Sequence, residues 1–169
     1  MEKQERYEEE QEVSQYEKLA SRTRELLETA REKTPKAIEE AFDRAREEMI
    51  AAGDFGREQA RRIQAYVQRD LKSAGEHFAQ LGKTVKEAVD PQRVATGIQS
   101  TLARILNLVG DTLKKTASKA EERLSYRTGE LSSPGTLTCT NCGNRIHMTG
   151  TGRVPPCAKC HSTEFRKSY

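Results

Sequence analysis

Residues 139–160 read CTNCGNRIHMTGTGRVPPCAKC, and this stretch decides the fold of the C-terminal part. Cys139 and Cys142 form one C-x-x-C pair, and Cys157 and Cys160 form a second after fourteen intervening residues that begin with Gly143. Two cysteines three apart on a tight turn can point both sulfurs at one ion. Backbone amides of the same turn aim at those sulfurs and offset their negative charge. Two such knuckles complete a tetrahedral site with Zn–S near ~2.3 Å. The pattern therefore predicts a zinc ribbon that holds one structural Zn2+ through Cys139, Cys142, Cys157 and Cys160. No fourth position is left open, which disfavours hydrolytic zinc chemistry. Gly143 can take the positive φ that a knuckle needs, and His161 stands in the equivalent place after the second pair.

The flanking residues agree with a ribbon. Leu137-Thr138 leads into the first knuckle and Arg145–Thr149 leads away from it. Arg153–Pro156 leads into the second knuckle and Glu164–Lys167 leaves it. The expectation is a three-strand mini-sheet over residues 136–169, with little core beyond Leu137, Ile146, Met148, Val154 and Phe165. Domains below about 40 residues usually need a metal to fold. Two disulfides, a rubredoxin-like iron site and a thiol or zinc redox sensor are the competing readings. Nothing suggests an oxidising compartment, and the strand-to-helix setting of a thioredoxin-like C-x-x-C is absent.

Upstream, residues 130–135 (ELSSPG) break the composition and read as a short linker. Residues 1–129 read as a charged helical bundle or coiled coil, rich in good helix formers. Tyr16, Leu19, Ala20, Leu26, Leu27 and Ala30 share one helical face. Thr34-Pro35 is an N-cap followed by proline at N1, opening a helix with Ile38, Ala41, Phe42, Ala45 and Met49 inward and Gly53 as its stop. A third helix from about Arg57 to Val89 carries Ile63, Val67, Leu71, Ala74, Phe78, Leu81 and Val85 at heptad-like spacing. After Asp90-Pro91, a fourth carries Val94, Ile98, Leu102, Ile105, Val109 and Leu113, with Gly129 as its stop. Single apolar stripes of this length need a covering partner, from a bundle within the chain or from a homo-oligomer. The fold class is thus mostly α: long amphipathic helices followed by a small C-terminal β zinc ribbon.

Composition narrows the function classes. Charged residues make up 33% of the chain and aromatics 5%, with no tryptophan, so a large buried catalytic pocket is disfavoured. No apolar run approaches the ~18–20 residues of a membrane span. The acidic start, MEKQERYEEEQE, lacks the apolar run of a signal peptide, and a cytoplasmic address is the expectation. The formal net charge is only +3, but it is unevenly placed. Residues 1–52 are net acidic, and residues 131–169 contain five bases against Glu164 alone. Arg145, Arg153, Lys159, Arg166 and Lys167 are the candidate nucleic-acid contacts of the ribbon. On the third helix Arg62, Arg69, Lys72, Lys83 and Lys86 lie roughly opposite the apolar seam and read as solvated surface. The fourth helix could lie on a membrane surface, but a core role is simpler because the third offers a matching seam.

Three stretches carry a family resemblance: AREEMIAAGDFGREQ with Arg69-Asp70-Leu71, the junction Tyr126–Glu130 with Gly135 and Leu137, and the two knuckles followed by Phe165-Arg166. Through these the whole chain resembles the uncharacterised bacterial zinc-ribbon-containing proteins of the YbeL type. The resemblance implies a helical N-terminal region and a C-terminal zinc ribbon, and supplies no biochemical function. The chain departs from the usual ribbon at His161, where glycine is typical. No Ser/His/Asp set, phosphate-binding loop or paired-carboxylate constellation stands out, so no enzyme is expected. The expected function is a zinc-binding adaptor whose ribbon contacts a macromolecule. A protein partner is favoured, and nucleic acid is the alternative.

Overall fold

The structure is a computed structural model, and it describes residues 2–80, 101–109, 112 and 124–168. Three helices open the chain: α1 (Glu2–Thr29), α2 (Pro35–Ala51) and α3 (Arg57–Gln80). Residues 101–109 are again helical (α4). The predicted extensions of the third helix to Val89 and of the fourth on either side of α4 lie outside the described residues.

Local signals set the helix ends. Thr34 is extended (φ −76°, ψ 160°) and its hydroxyl accepts the Ala37 N–H at 3.2 Å, with Pro35 at the first helical position. Past Ala51 the chain turns through Gly53 at φ +78°. The Gly53 N–H bonds the Ile50 carbonyl at 3.1 Å and the Asp54 N–H bonds the Met49 carbonyl at 3.1 Å, the double closure of a Schellman turn.

The helices pack into one core. Tyr16, Leu19 and Leu27 from α1 meet Phe42 and Met49 from α2, Ile63, Val67 and Leu71 from α3, and Ile105, Leu106 and Val109 from α4. The seams read from the sequence are therefore covered within the chain over the described residues. This accounts for α4 as core rather than as a membrane-surface face.

The C-terminal part has six short strands: β1 (Tyr126–Arg127), β2 (Leu131–Ser132), β3 (Gly135–Cys139), β4 (Arg145–Met148), β5 (Gly152–Arg153) and β6 (Glu164–Ser168). Four of them form an antiparallel sheet in the order β1-β6-β3-β4, and β2 pairs with β5. Two expectations change here. The mini-sheet has four strands, because Tyr126 and Arg127 pair with Phe165 and Glu164 ahead of the first knuckle. Gly129, at φ +88°, shapes the turn after β1 rather than ending a helix.

The predicted linker is an interface. Leu131, Ser132 and Ser133 are buried, and Leu131 joins the helical core. Asp70 of α3, fully buried, receives the Tyr16 hydroxyl at 2.8 Å and the Ser133 N–H at 2.6 Å. Lys167 of β6 lies 3.6 Å from the same carboxylate and donates to the Ser133 carbonyl and hydroxyl, each at 2.6 Å. Arg69, read as solvated surface, instead packs its guanidinium 3.9 Å from the centre of the Tyr126 ring. It also pairs with Glu130 and donates to the Leu131 carbonyl at 2.6 Å.

Candidate metal centre

Each cysteine pair is held by the same backbone scheme. In the first knuckle the Gly143 N–H bonds the Cys139 carbonyl at 3.0 Å and the Cys139 N–H bonds the Asn144 carbonyl at 2.8 Å. In the second, the His161 N–H bonds the Cys157 carbonyl at 2.8 Å and the Cys157 N–H bonds the Ser162 carbonyl at 3.0 Å. The residue after each pair adopts positive φ: Gly143 at +72° and His161 at +57°. Histidine thus takes the geometry that glycine takes in the first knuckle.

The loops bring four sulfurs together. Cys139 Sγ lies 3.6 Å from Cys160 Sγ, and Cys142 Sγ lies 3.5 Å from Cys157 Sγ. All four sulfurs fall within 4.8 Å of one another. A tetrahedron with ~2.3 Å Zn–S bonds has edges of about 3.8 Å, so the donor set fits one zinc ion. The separations are far beyond the ~2.05 Å of a disulfide. Cys139 and Cys157 are buried against Leu137, Val154, Phe165 and Tyr126, while Cys142 and Cys160 are half-buried.

The amides of the knuckles also prepare the thiolates. At Cys139 the Cys142 backbone N–H holds the thiol below its usual range, against the effect of burial. Burial pushes the Cys157 thiol up, but the backbone N–H groups of Cys160 and Lys159, with the Cys142 and Cys160 thiols, outweigh it and bring it down to about 6. At Cys142 the Asn144 backbone N–H favours the thiolate, yet the Cys160 thiol, burial and the other two thiols raise it to about 12. The 3.5 and 3.6 Å sulfur pairs are within reach of S–H···S hydrogen bonds. A bound Zn2+ replaces them and cross-links the two knuckles.

A family model described as a zinc-ribbon containing domain matches residues 25–168. The chain belongs to that family. No curated protein and no solved structure matches it. The zinc-ribbon assignment rests on two observations that agree, the four-sulfur cluster and the family match. The match starts inside α1, so the residues of that helix that meet the ribbon precede the family's matched span.

The basic residues of this zinc ribbon separate into two groups. Arg153 is tied to α1: its guanidinium lies 2.8 Å from Glu12 and its backbone N–H donates to Glu9 at 3.0 Å. Lys167 is buried on Asp70. Both bases tie the ribbon to the helices: the Lys167 side chain is fully buried and so withdrawn from the surface contacts expected for nucleic acid, whereas the Arg153 side chain keeps 34% of its surface exposed. Arg145, Lys159 and Arg166 remain exposed. Arg145 and Arg166 are both register partners of Thr138, one on each side, so they share the outer face of the sheet. The docking residues Asp70, Ser133 and Glu12 were not singled out from sequence. Asp70 and Tyr126 do fall within the stretches that carry the family resemblance.

Proposed function

We propose that this protein is a non-enzymatic adaptor. Structural zinc keeps the ribbon folded, the helical bundle holds it in place, and the outward face of the ribbon binds a protein partner. The observation that supports this most directly is the division of the ribbon's bases. Lys167 is buried on Asp70 and the partly exposed Arg153 is paired with Glu12, while Arg145 and Arg166 stay exposed on the outer face of the docked sheet. A donor set of four thiolates fills the zinc coordination sphere, whereas catalytic zinc keeps a position for water or substrate. Four free thiols gathered for a metal suit a reducing compartment, which supports a cytoplasmic address.

Nucleic acid is the competing ligand, and three exposed cations serve it: Arg145, Lys159 and Arg166. Affinity capture from the native host, with and without nuclease, separates the two. The adaptor reading expects protein partners that survive nuclease and disappear with Cys157→Ser and with the Arg145→Glu/Arg166→Glu double variant. Partners lost on nuclease treatment, with affinity that falls steeply in salt, overturn it in favour of nucleic acid.

A further inference from the structure

We propose that β4 is a docking edge for an acidic, extended protein segment that joins the sheet as an added strand. The inference rests on the adaptor reading and names the chemistry of its partner.

β4 is an edge, paired with β3 on one side only. The Cys139 N–H bonds the Asn144 carbonyl, which fixes the phase of the ladder. Hydrogen-bonded pairs in an antiparallel ladder recur at every second residue. Leu137↔Ile146 and Gly135↔Met148 are therefore the bonded pairs. The Thr140 N–H on the Glu164 carbonyl at 3.1 Å gives the same phase from the other side of β3. Ile146 and Met148 spend their backbone groups on β3. The N–H and C=O groups of Arg145 and His147 point away from it, and no described residue bonds them. Such a row of free groups is a template for another strand.

The side chains select which strand. Arg145 and His147 are exposed on the outer face, and Ile146 and Met148 are half-buried on the inner one. Arg166 extends the positive row across Thr138. Glu164, the acid on this face, is paired with Arg127 at 3.4 Å. An incoming strand sets alternate residues beside Arg145 and His147 and the others beside Ile146 and Met148. The complementary sequence alternates acidic and apolar residues. A second copy of this chain fits less well. Antiparallel pairing of β4 with itself about Ile146 places Arg145 beside His147 and offers neither arginine a counter-ion.

The test uses the full-length, zinc-loaded protein and a short peptide alternating Glu and Val. Controls are a Lys–Val peptide and a Glu–Val peptide methylated on alternate backbone nitrogens. Binding of the Glu–Val peptide should slow amide exchange at Arg145 and His147. Backbone methylation should weaken it about tenfold or more, since ladder hydrogen bonds are lost. His147→Pro removes an outward N–H, a position where an edge strand tolerates proline, and should weaken it similarly while zinc content is unchanged. Arg145→Glu, at an exposed side chain, should reverse the preference toward the Lys–Val peptide. Binding without slowed exchange at Arg145 and His147, equal binding of both peptides, or self-association that protects the same amides overturns the docking edge. So does an oligonucleotide that occupies this face when the Glu–Val peptide does not. Host partners that survive nuclease and persist in His147→Pro and Arg145→Glu leave the adaptor reading standing and remove the edge alone.

Discussion

The helical bundle and the ribbon are held by different means. The bundle buries a broad apolar core, with Tyr16, Leu19, Leu27, Phe42, Ile63 and Ile105 nearly or fully removed from water. Each large apolar side chain buried in this way contributes about 1.5–3 kcal/mol. The ribbon's own core is Tyr126, Leu137, Val154 and Phe165 with Cys139 and Cys157, so two of its six buried members belong to the metal site. The first region carries the larger apolar core, to which Leu131 of the C-terminal part also contributes. The second depends on its metal and on the surface against which it docks.

The largest expected effect separates the two regions completely. Chelation, or Cys157→Ser, should unfold the ribbon, because apparent zinc binding in such small sites is worth on the order of 10 kcal/mol. The helices should remain, seen as a far-UV helical signal largely retained while amide protection over residues 126–168 is lost. A helical signal that collapses in step with zinc release would show that the bundle needs the ribbon.

Asp70→Ala comes next, because it breaks the docking without touching zinc. It leaves the buried Lys167 ammonium without its carboxylate and the Ser133 N–H without its acceptor. The expected loss is about 3–5 kcal/mol in denaturant unfolding, with zinc stoichiometry unchanged. Asp70→Leu combined with Lys167→Met should recover the part of that loss that comes from the unpaired Lys167 charge, but not the part from the Ser133 N–H and the Tyr16 hydroxyl, which lose their acceptor in both variants. If Asp70→Ala costs no more than a surface substitution, the docking contributes little to the stability of the ribbon.

A smaller effect follows from pH. Burial pushes the Lys167 ammonium down to about 8, against the nearby Asp70 carboxylate that favours the charge, and Arg69 adds to the lowering. Its ordinary value is 10.5, so between about 8 and 10.5 the unfolded chain binds more proton than the folded one. This group's contribution to stability therefore rises with pH across that window, by up to about 3 kcal/mol. The stability of the native chain relative to Lys167→Met should climb from pH 8 to pH 10. A flat difference would place Lys167 in water.

Much of both regions was legible in the sequence, but by different kinds of signal. Ile38, Ala41, Phe42, Ala45 and Met49 followed from helical period, and all five are buried. The cysteine spacing gave the sulfur cluster, because knuckle geometry is set within a few residues. The docking was not legible. Asp70 stood out only as part of a stretch carrying the family resemblance and Lys167 only as one of the ribbon's candidate nucleic-acid contacts, and nothing local says that the two meet and are buried together. ELSSPG reads as a linker because Ser, Pro and Gly favour turns. The Ser133 N–H and carbonyl in that stretch are held by Asp70 and Lys167, partners more than thirty residues away in either direction. Arg153 and Lys167 looked like Arg145 and Arg166 for the same reason: charge is visible in sequence, and its partner is not.

The contact between Arg153 and Glu12 joins residues 141 positions apart in the chain. During synthesis α1, α2 and α3 emerge well before their ribbon partners exist. Over that interval the Asp70 carboxylate does not yet have the Ser133 N–H or Lys167, and the Arg69 guanidinium does not yet have Glu130. Local helix contacts form quickly, while contacts of this separation are slow to close. The charged seam is therefore complete only when the last part of the chain supplies Glu130, Ser133 and Lys167 to Arg69 and Asp70.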